Sequence, residues 1–335
     1  MPLALSALDL VPLVEGGTSV DAMRGVVELA RAVEALGFTR LWYAEHHNMP
    51  GIATTTPEIL IAHVGTATSR IRLGAGGVML PNHSALKVAE AYKMLEALHP
   101  GRIDLGLGRA PGTDQLTAFA LRRSRQAMGA NDFPEQLGEL VAWGGGAFPD
   151  EHPFKAVRAM PDDRALPPIY ILGSSDYGAK MAAELGLGFA FAGHFSQDPP
   201  ERALRDYRAR FQPVGALDRP HAILALSVFC AETEDAARRL ASSIKLSFVQ
   251  LRTGRPRRMP RPDEAEAHVF TPEEQALVSF YENLAVIGTP AQVRARIEAL
   301  VARTGADEVM VVTHAYDVGA RIHSYELIAQ AFGIT

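Results

Sequence analysis

Residues 70–114, RIRLGAGGVMLPNHSALKVAEAYKMLEALHPGRIDLGLGRAPGTD, decide how the rest of the chain is read. IRLGAGGVML (71–80) is apolar without alternation and is closed by Pro81, and RIDLGLG (102–108) is a run of the same kind. Strands of that type are buried on both faces. Between them, residues 84–98 space their apolar side chains as a helix does and stop near Pro100-Gly101. The stretch is a strand, a crossover helix and a parallel strand.

Working outward, the unit repeats. LALSAL (3–8) and TRLWYA (39–44) precede it, with Thr18, Ser19 and Asp21 able to cap a helix that Gly37 ends. Pro57 opens another helix over 57–68. On the other side lie PIYILG (168–173), GFAFAG (188–193), AILALSVFC (222–230) and DEVMVVT (307–313), with helices at 176–186, 199–211, 233–248, 290–303 and 318–332. About eight β-α units imply an α/β fold, a single (β/α)8 TIM barrel over 1–335. A doubly wound sheet should carry a phosphate fingerprint after its first strand, and ALDLVPLVEGG (7–17) has none. GAGGVM (74–79) puts Met79 where the third glycine of that fingerprint belongs. A plain barrel needs roughly 250 residues. The surplus of this 335-residue chain falls in 111–131, 144–166 and 249–283. The last of these, with five arginines among three prolines over 252–262, reads as a mobile loop or insertion.

Composition narrows the partners. Lys and Arg total 33 against 38 Asp and Glu, a net charge of −5, so nothing favours nucleic acid or an anionic membrane. Cys230 is the sole cysteine and points to a reducing cytoplasm. MPLALSALDL lacks the positive start of a signal peptide, and no run of about 18 apolar residues exists to span a membrane.

A barrel carries its chemistry where strands end at their C-termini. Those positions hold Glu45-His46-His47-Asn48, Asn82-His83, Gly108-Arg109 through Asp114, Gly173 through Gly178, Gly193-His194-Phe195 and His314. The backbone N–H groups of Asp176, Tyr177 and Gly178, with the hydroxyls of Ser174 and Ser175, form the best local anion site. Arg109, at the end of an apolar strand, needs an anionic partner: a bound phosphate, or Asp104 or Asp114. Adjacent histidines on a strand point apart, and no His-x-His is present, so His46-His47 is not expected to hold a metal. One of the pair reads as a base or hydrogen-bonding group. Leu8, Met49, Phe119, Phe195 and Phe280 are candidate pocket residues for an apolar ligand.

The segments ALGFTRLWYAEHHN (35–48), RIRLGAGGVMLPNHSALKVAE (70–90), LHPGRIDLGLGRAPGTD (98–114), IYILGSSDYGAKMAAELGLGFAF (169–191) and IGTPAQVRARIEAL (287–300) together resemble the luciferase-like flavin-dependent monooxygenases, the bacterial luciferase superfamily, over nearly the whole chain. The resemblance implies a barrel that takes FMN as FMNH2 from a separate reductase and uses O2 to oxidise a small organic substrate, a reaction on paired donors. It matches His46 to the active-site histidine and Gly76-Gly77 to a cis peptide at the flavin. It matches Arg109 to the residue that binds the FMN phosphate, with Gly108, Ser174, Ser175, Tyr177 and Gly178 around it. It also implies a homodimer through the helices beside the second and third strands. Ser174 stands where the luciferase α chain has Glu, and Gly193 where it has a flavin-side Trp, so aldehyde specificity and light emission do not carry over. The superfamily also contains F420-dependent hydride-transfer enzymes and non-catalytic flavin-binding proteins, which are the alternatives.

Overall fold

The computed structural model describes residues 3–124, 126, 128 and 132–334. Eight parallel strands close a barrel: β1 (Ala4–Asp9), β2 (Arg40–Tyr43), β3 (Arg72–Met79), β4 (Ile103–Gly108), β5 (Ile169–Gly173), β6 (Gly188–Ala192), β7 (Ala222–Cys230) and β9 (Glu308–Val312). They neighbour one another in that order, and β9 pairs back with β1. The fold is a (β/α)8 TIM barrel. A ninth strand, β8 (Val286–Gly288), lies along the far end of β7 in the register Val228↔Val286. Its three residues sit between two helices and show no sequence pattern of their own.

Helices fill the outer layer. α1 (Ser19–Ala35) starts on a capping box in which Thr18 and Asp21 bond each other's backbone N–H groups. It ends before Gly37, whose φ of +83° suits glycine and where a Cβ would lie 2.3 Å from the Ile334 carbonyl oxygen. α2 (Pro57–Gly65) and α3 (Ala85–Leu98) follow β2 and β3. α4 (Gln115–Arg122) and α5 (Phe133–Trp143) follow β4; part of the 111–131 stretch lies outside the described residues. α6 (Asp176–Glu184) and α7 (Pro200–Arg210) follow β5 and β6.

The helix expected over 233–248 is two, α8 (Glu234–Leu240) and α9 (Ser242–Arg252), with a break at Ala241. Residues 249–283, read as a loop, are mostly helical: the end of α9, then α10 (Pro262–Ala267) and α11 (Pro272–Leu284). The strap between α9 and α10 is pinned at Met259, which is 1% exposed. Its N–H donates to the Leu13 carbonyl at 2.9 Å, and its own carbonyl accepts from the Glu15 N–H at 2.9 Å. The arginine-rich pattern hid this because Met259 is the one apolar residue in it. α12 (Pro290–Thr304) and α13 (Val318–Phe332) complete the layer.

The strands are buried on both faces, as their unbroken apolar runs imply. Residues of one parity pack outward beneath the helices. The other parity fills the barrel with Leu8, Trp42, Tyr170, Ala190, Ile223, Ala225, Met310 and Val312. Trp42 occupies the space left by two glycines of β3: a Cβ at Gly74 would meet its Nε1 at 2.7 Å, and one at Gly76 its Cε3 at 3.1 Å. Below these, at the N-terminal end, Arg40, Asp104, Glu308 and Ser6 form a buried polar floor.

Candidate active site at the barrel mouth

The C-terminal ends of β2, β3 and β4 are laced together. Glu45, 1% exposed, accepts from Nε2 of His47 at 2.9 Å, Nε2 of His83 at 2.8 Å and the N–H of Met79 at 2.9 Å. Burial pushes its carboxyl up, but the bonds from His83, His47 and Met79 and the charge of His83 hold it below the usual range. Burial lowers His83 too, yet the Glu45 carboxylate more than compensates and leaves its pKa raised. The Asn82 amide donates to the Pro111 carbonyl at 2.9 Å, the Thr113 hydroxyl to the His47 carbonyl at 2.7 Å, and the Asn48 amide to Asp114 at 3.0 Å. Asp114 in turn caps α4.

This lattice sets the state of His46. Its Nδ1 lies 2.7 Å from the Glu45 carbonyl oxygen. A carbonyl only accepts, so Nδ1 carries the proton and Nε2 presents a lone pair. Burial, reinforced by His47 and opposed by Glu45, lowers its pKa to about 4. At neutral pH the ring is an uncharged acceptor. The expectation left it open as base or donor; this geometry leaves Nε2 as the ring's open acceptor.

On β3 the peptide bond between Gly76 and Gly77 is cis. Neither glycine has room for a side chain: a Cβ on Gly76 would sit 2.8 Å from Leu8 Cδ1, and one on Gly77 2.7 Å from the Gly106 carbonyl oxygen. The register between β3 and β4 shifts across this bond, from Ala75↔Leu105 to Val78↔Leu107. At Gly108 a Cβ would meet only the flexible end of Met79, at 2.8 Å.

Two strands round the rim from His46, Arg109 extends from the end of β4 into solvent, its guanidinium carbon 4.3 Å from the centre of the Tyr177 ring. Neither carboxylate considered for it is available. Asp104 is held by Arg40, Arg72 and the Trp42 indole, and Asp114 by Asn48 and Thr117. Among the described residues no carboxylate pairs with Arg109. Ser175 is the N-cap of α6, yet its hydroxyl makes no cap bond, so the first-turn N–H groups up to Gly178 remain open beside that cation. Ser174 lies one residue earlier, and its carbonyl accepts from the Ser196 hydroxyl at 3.0 Å. Arg109, Tyr177, Ser174, Ser175 and Gly178 are thus gathered on the β4–β5 side, with His46 and the cis peptide on the β2–β3 side.

Two further histidines reach the mouth and were given no role by the sequence. His194 lies two residues beyond inward-facing Ala192, and His314 two beyond inward-facing Val312. The neighbouring Thr313 turns the other way, its hydroxyl on the Val228 carbonyl and its N–H on the Tyr325 hydroxyl. Nδ1 of each ring is buried without a hydrogen-bonding partner. Burial is the main cause that lowers both, to about 4 for His194 and about 3 for His314, and a charge on His46 lowers each further. Among the described residues no group of three His, Cys, Asp or Glu side chains is placed to hold a metal ion. Of the expected pocket residues, Leu8 is inside the barrel, whereas Phe280 stacks on Phe248 between α9 and α11.

Among the described residues, the mouth holds an uncharged histidine, a glycine cis peptide and an arginine without a carboxylate partner beside an open helix start, and the fold defines a class: parallel (β/α)8 barrels with their polar groups gathered at the C-terminal ends of the strands. The chain belongs to the luciferase-like monooxygenase family, whose model matches residues 8–308. It is 42% identical over 325 residues to a luciferase-like monooxygenase of Escherichia coli strain K12 (97% of this chain, 96% of that one). It is 34% identical over 330 residues to the N-acetyl-S-alkylcysteine monooxygenase of Bacillus subtilis (98% and 97%). The crystal structure of apo-MsnO8 superposes with a TM-score of 0.89 at 37% identity, covering 100% of this chain and 98% of that one. The fold is shared with the FMN complex of a type II Baeyer–Villiger monooxygenase of Pseudomonas putida (TM-score 0.73, 20% identity, 98% of this chain and 97% of that one). It is shared too with the F420-dependent tetrahydromethanopterin reductase of Methanopyrus kandleri (0.66, 18%, 98% of each). Among the described residues no helix is long and apolar enough to cross a membrane.

Proposed function

We propose that this protein is an FMNH2-dependent monooxygenase that uses O2 on a small, largely apolar organic substrate, with reduced flavin delivered by a separate reductase. The observation that carries the reading is Arg109: a cation without a carboxylate partner, set against the uncapped start of α6. That pair of features fits a phosphate monoester, which offers a dianion to the guanidinium and oxygens to the N–H groups. Arg109, the Ser174 and Ser175 hydroxyls and the N–H groups up to Gly178 would hold it, with Tyr177 backing the guanidinium. Gly76, Gly77 and Gly108 keep side chains away from the β3–β4 side, where the flavin ring would lie. Bound reduced flavin supplies two electrons to O2, so that one oxygen atom enters the substrate and the other leaves as water.

The chain's own contribution is positional and protic. His46 Nε2, fixed by the Nδ1 bond to Glu45, takes a proton from the reacting group and returns it. The Glu45–His47–His83 lattice keeps that ring in place. The small residues Ala44, Ala192 and Ala225 leave room for an apolar substrate while excluding water. The exposed Ile59, Met94 and Leu98 on α2 and α3 (64%, 56% and 58%) support a homodimer through those helices. The buried, unpaired Cys230 supports a cytoplasmic setting.

Titration with FMN, FMNH2 and F420, followed by flavin fluorescence, tests the reading. FMN and FMNH2 should bind and F420 should not. Binding of no flavin would overturn it, and preference for F420 would replace it with hydride transfer. Stopped-flow mixing of the FMNH2 complex with O2 should give reoxidation slower than that of free FMNH2.

A further inference from the structure

We propose that His194 and His314 receive the oxygen of an uncharged carbonyl compound and so fix the substrate's polar end beside His46. The inference rests on the reading of the mouth as a flavin monooxygenase site and adds the chemistry of its second ligand.

Three observations carry it. First, both side chains enter the mouth from the strands that flank β7: His314 follows β9, across the barrel from β4 and Arg109, and His194 follows β6, beside β5. Second, each presents a buried Nδ1 without a hydrogen-bonding partner. His314 is 8% exposed, and leaving such a nitrogen bare costs about 1–3 kcal/mol. Inside the other end of the barrel, by contrast, Arg40 is paired with Asp104 and Glu308. Third, no fixed charge there lacks its counterion. Arg321, the cation that acts on His314, is occupied by Asp9 and by the Thr313 carbonyl at 3.1 Å. The other titratable groups acting on the pair are His46 and the two rings themselves, all uncharged at neutral pH. A buried ammonium would find no carboxylate and a buried carboxylate no free cation, and each would lose its hydration. A carbonyl oxygen accepts from an imidazole N–H without that loss. Its hydrocarbon portion meets Ala192, Ala225 and Val312.

The test uses the full-length protein labelled with 15N-histidine, with and without FMN, and four probes of one shape: cyclohexanone, methylcyclohexane, cyclohexylammonium and cyclohexanecarboxylate. Cyclohexanone should shift two imidazole 15N resonances, those lost in His194→Asn and His314→Asn. The other three probes should leave them in place. His314→Leu should weaken cyclohexanone about threefold to tenfold, and His314→Asn, which retains an N–H near Nδ1, should recover most of it. Unchanged resonances of the remaining histidines show that the variants are folded. FMN affinity should be the same in all of them. Equal or tighter binding of either charged probe, or no shift from any probe, overturns the proposal. Parallel loss of FMN in His314→Leu also overturns it, by assigning that ring to the flavin. Were FMN not to bind at all, the cyclohexanone shifts in the flavin-free protein would still decide the question.

Discussion

The two ends of this barrel use buried polar groups in opposite ways. At the floor, Arg40 meets Glu308 through two nitrogens, at 2.7 and 3.0 Å, and reaches Asp104 at 2.8 Å and the Tyr170 hydroxyl at 3.1 Å. Asp104 takes further bonds from Trp42 and Arg72, and Glu308 from Ser6 and His221. Burial opposes the charge on Glu308, yet Arg40, His221 and Ser6 hold its carboxyl below the usual range. At the mouth, the buried Nδ1 atoms of His194 and His314 have no partner among the described residues, the Ser175 hydroxyl makes no cap bond, and no carboxylate among those residues pairs with the exposed Arg109. A polar group surrounded by its own chain's partners stabilises the fold, and one left bare is available to a ligand. The same residue types therefore carry different consequences according to which end of a strand they occupy.

The largest expected effect breaks the floor. Arg40→Met leaves buried Glu308 without its arginine and buried Asp104 with Arg72 alone, and should cost about 3–5 kcal/mol of stability, measured by equilibrium urea unfolding. A loss under about 1 kcal/mol would remove the contrast. Next, Arg109→Ala should leave stability unchanged while weakening FMN by about 1.5–3 kcal/mol and riboflavin hardly at all. Exposure of that side chain favours the lower figure. Equal losses for the two ligands would refute a phosphate role.

Acidification should reach the mouth before the floor. His46, His194 and His314 have folded pKa values lowered from 6.5 to about 4, 4 and 3. Their contribution is complete above pH 6.5 and is lost as pH falls below it, because the unfolded chain takes up protons that the folded one refuses. Glu308, lowered from 4.5, contributes above that pH and is lost only as pH falls through its folded value. His83 and His323, both raised, act with the opposite sign and lose their contribution as pH rises. Melting temperature should therefore decline from pH 6.5 toward 4.5, and His194→Asn/His314→Asn should flatten that decline. An unaltered slope in the double variant would show that the two rings are not held neutral. The smallest effect is a pair of serines. Ser6→Ala removes a buried hydroxyl bonded to Glu308 and should cost about 1–3 kcal/mol. Ser175→Ala should stay within about 0.5 kcal/mol on urea unfolding.

The barrel was legible because its eight strands are continuous apolar runs and its helices carry their own stops, such as Gly37 and Pro100-Gly101. β8 was not, being three residues long and defined only by its partner β7. The mouth was legible as positions, since strand ends can be read off the runs. Its partnerships were not: Arg40 and Glu308 are 268 residues apart and meet only because β9 closes onto β1. Asp104, a nearer candidate for Arg109, faces the floor because it starts β4 and Arg109 follows that strand's end. His194 and His314 carry no local motif, and only their shared parity with Ala192 and Val312 turns them to one place.

Met259 bears on how readily one edge of the molecule opens. It bridges the segment after β1 to the strap before α10, and its side chain is out of water. Exposing a methionine costs about 1.5–3 kcal/mol, so opening along that edge would be populated in roughly one molecule in ten to one in a few hundred. Met259→Ala should raise that population, read as faster hydrogen exchange at the Glu15 and Met259 amides.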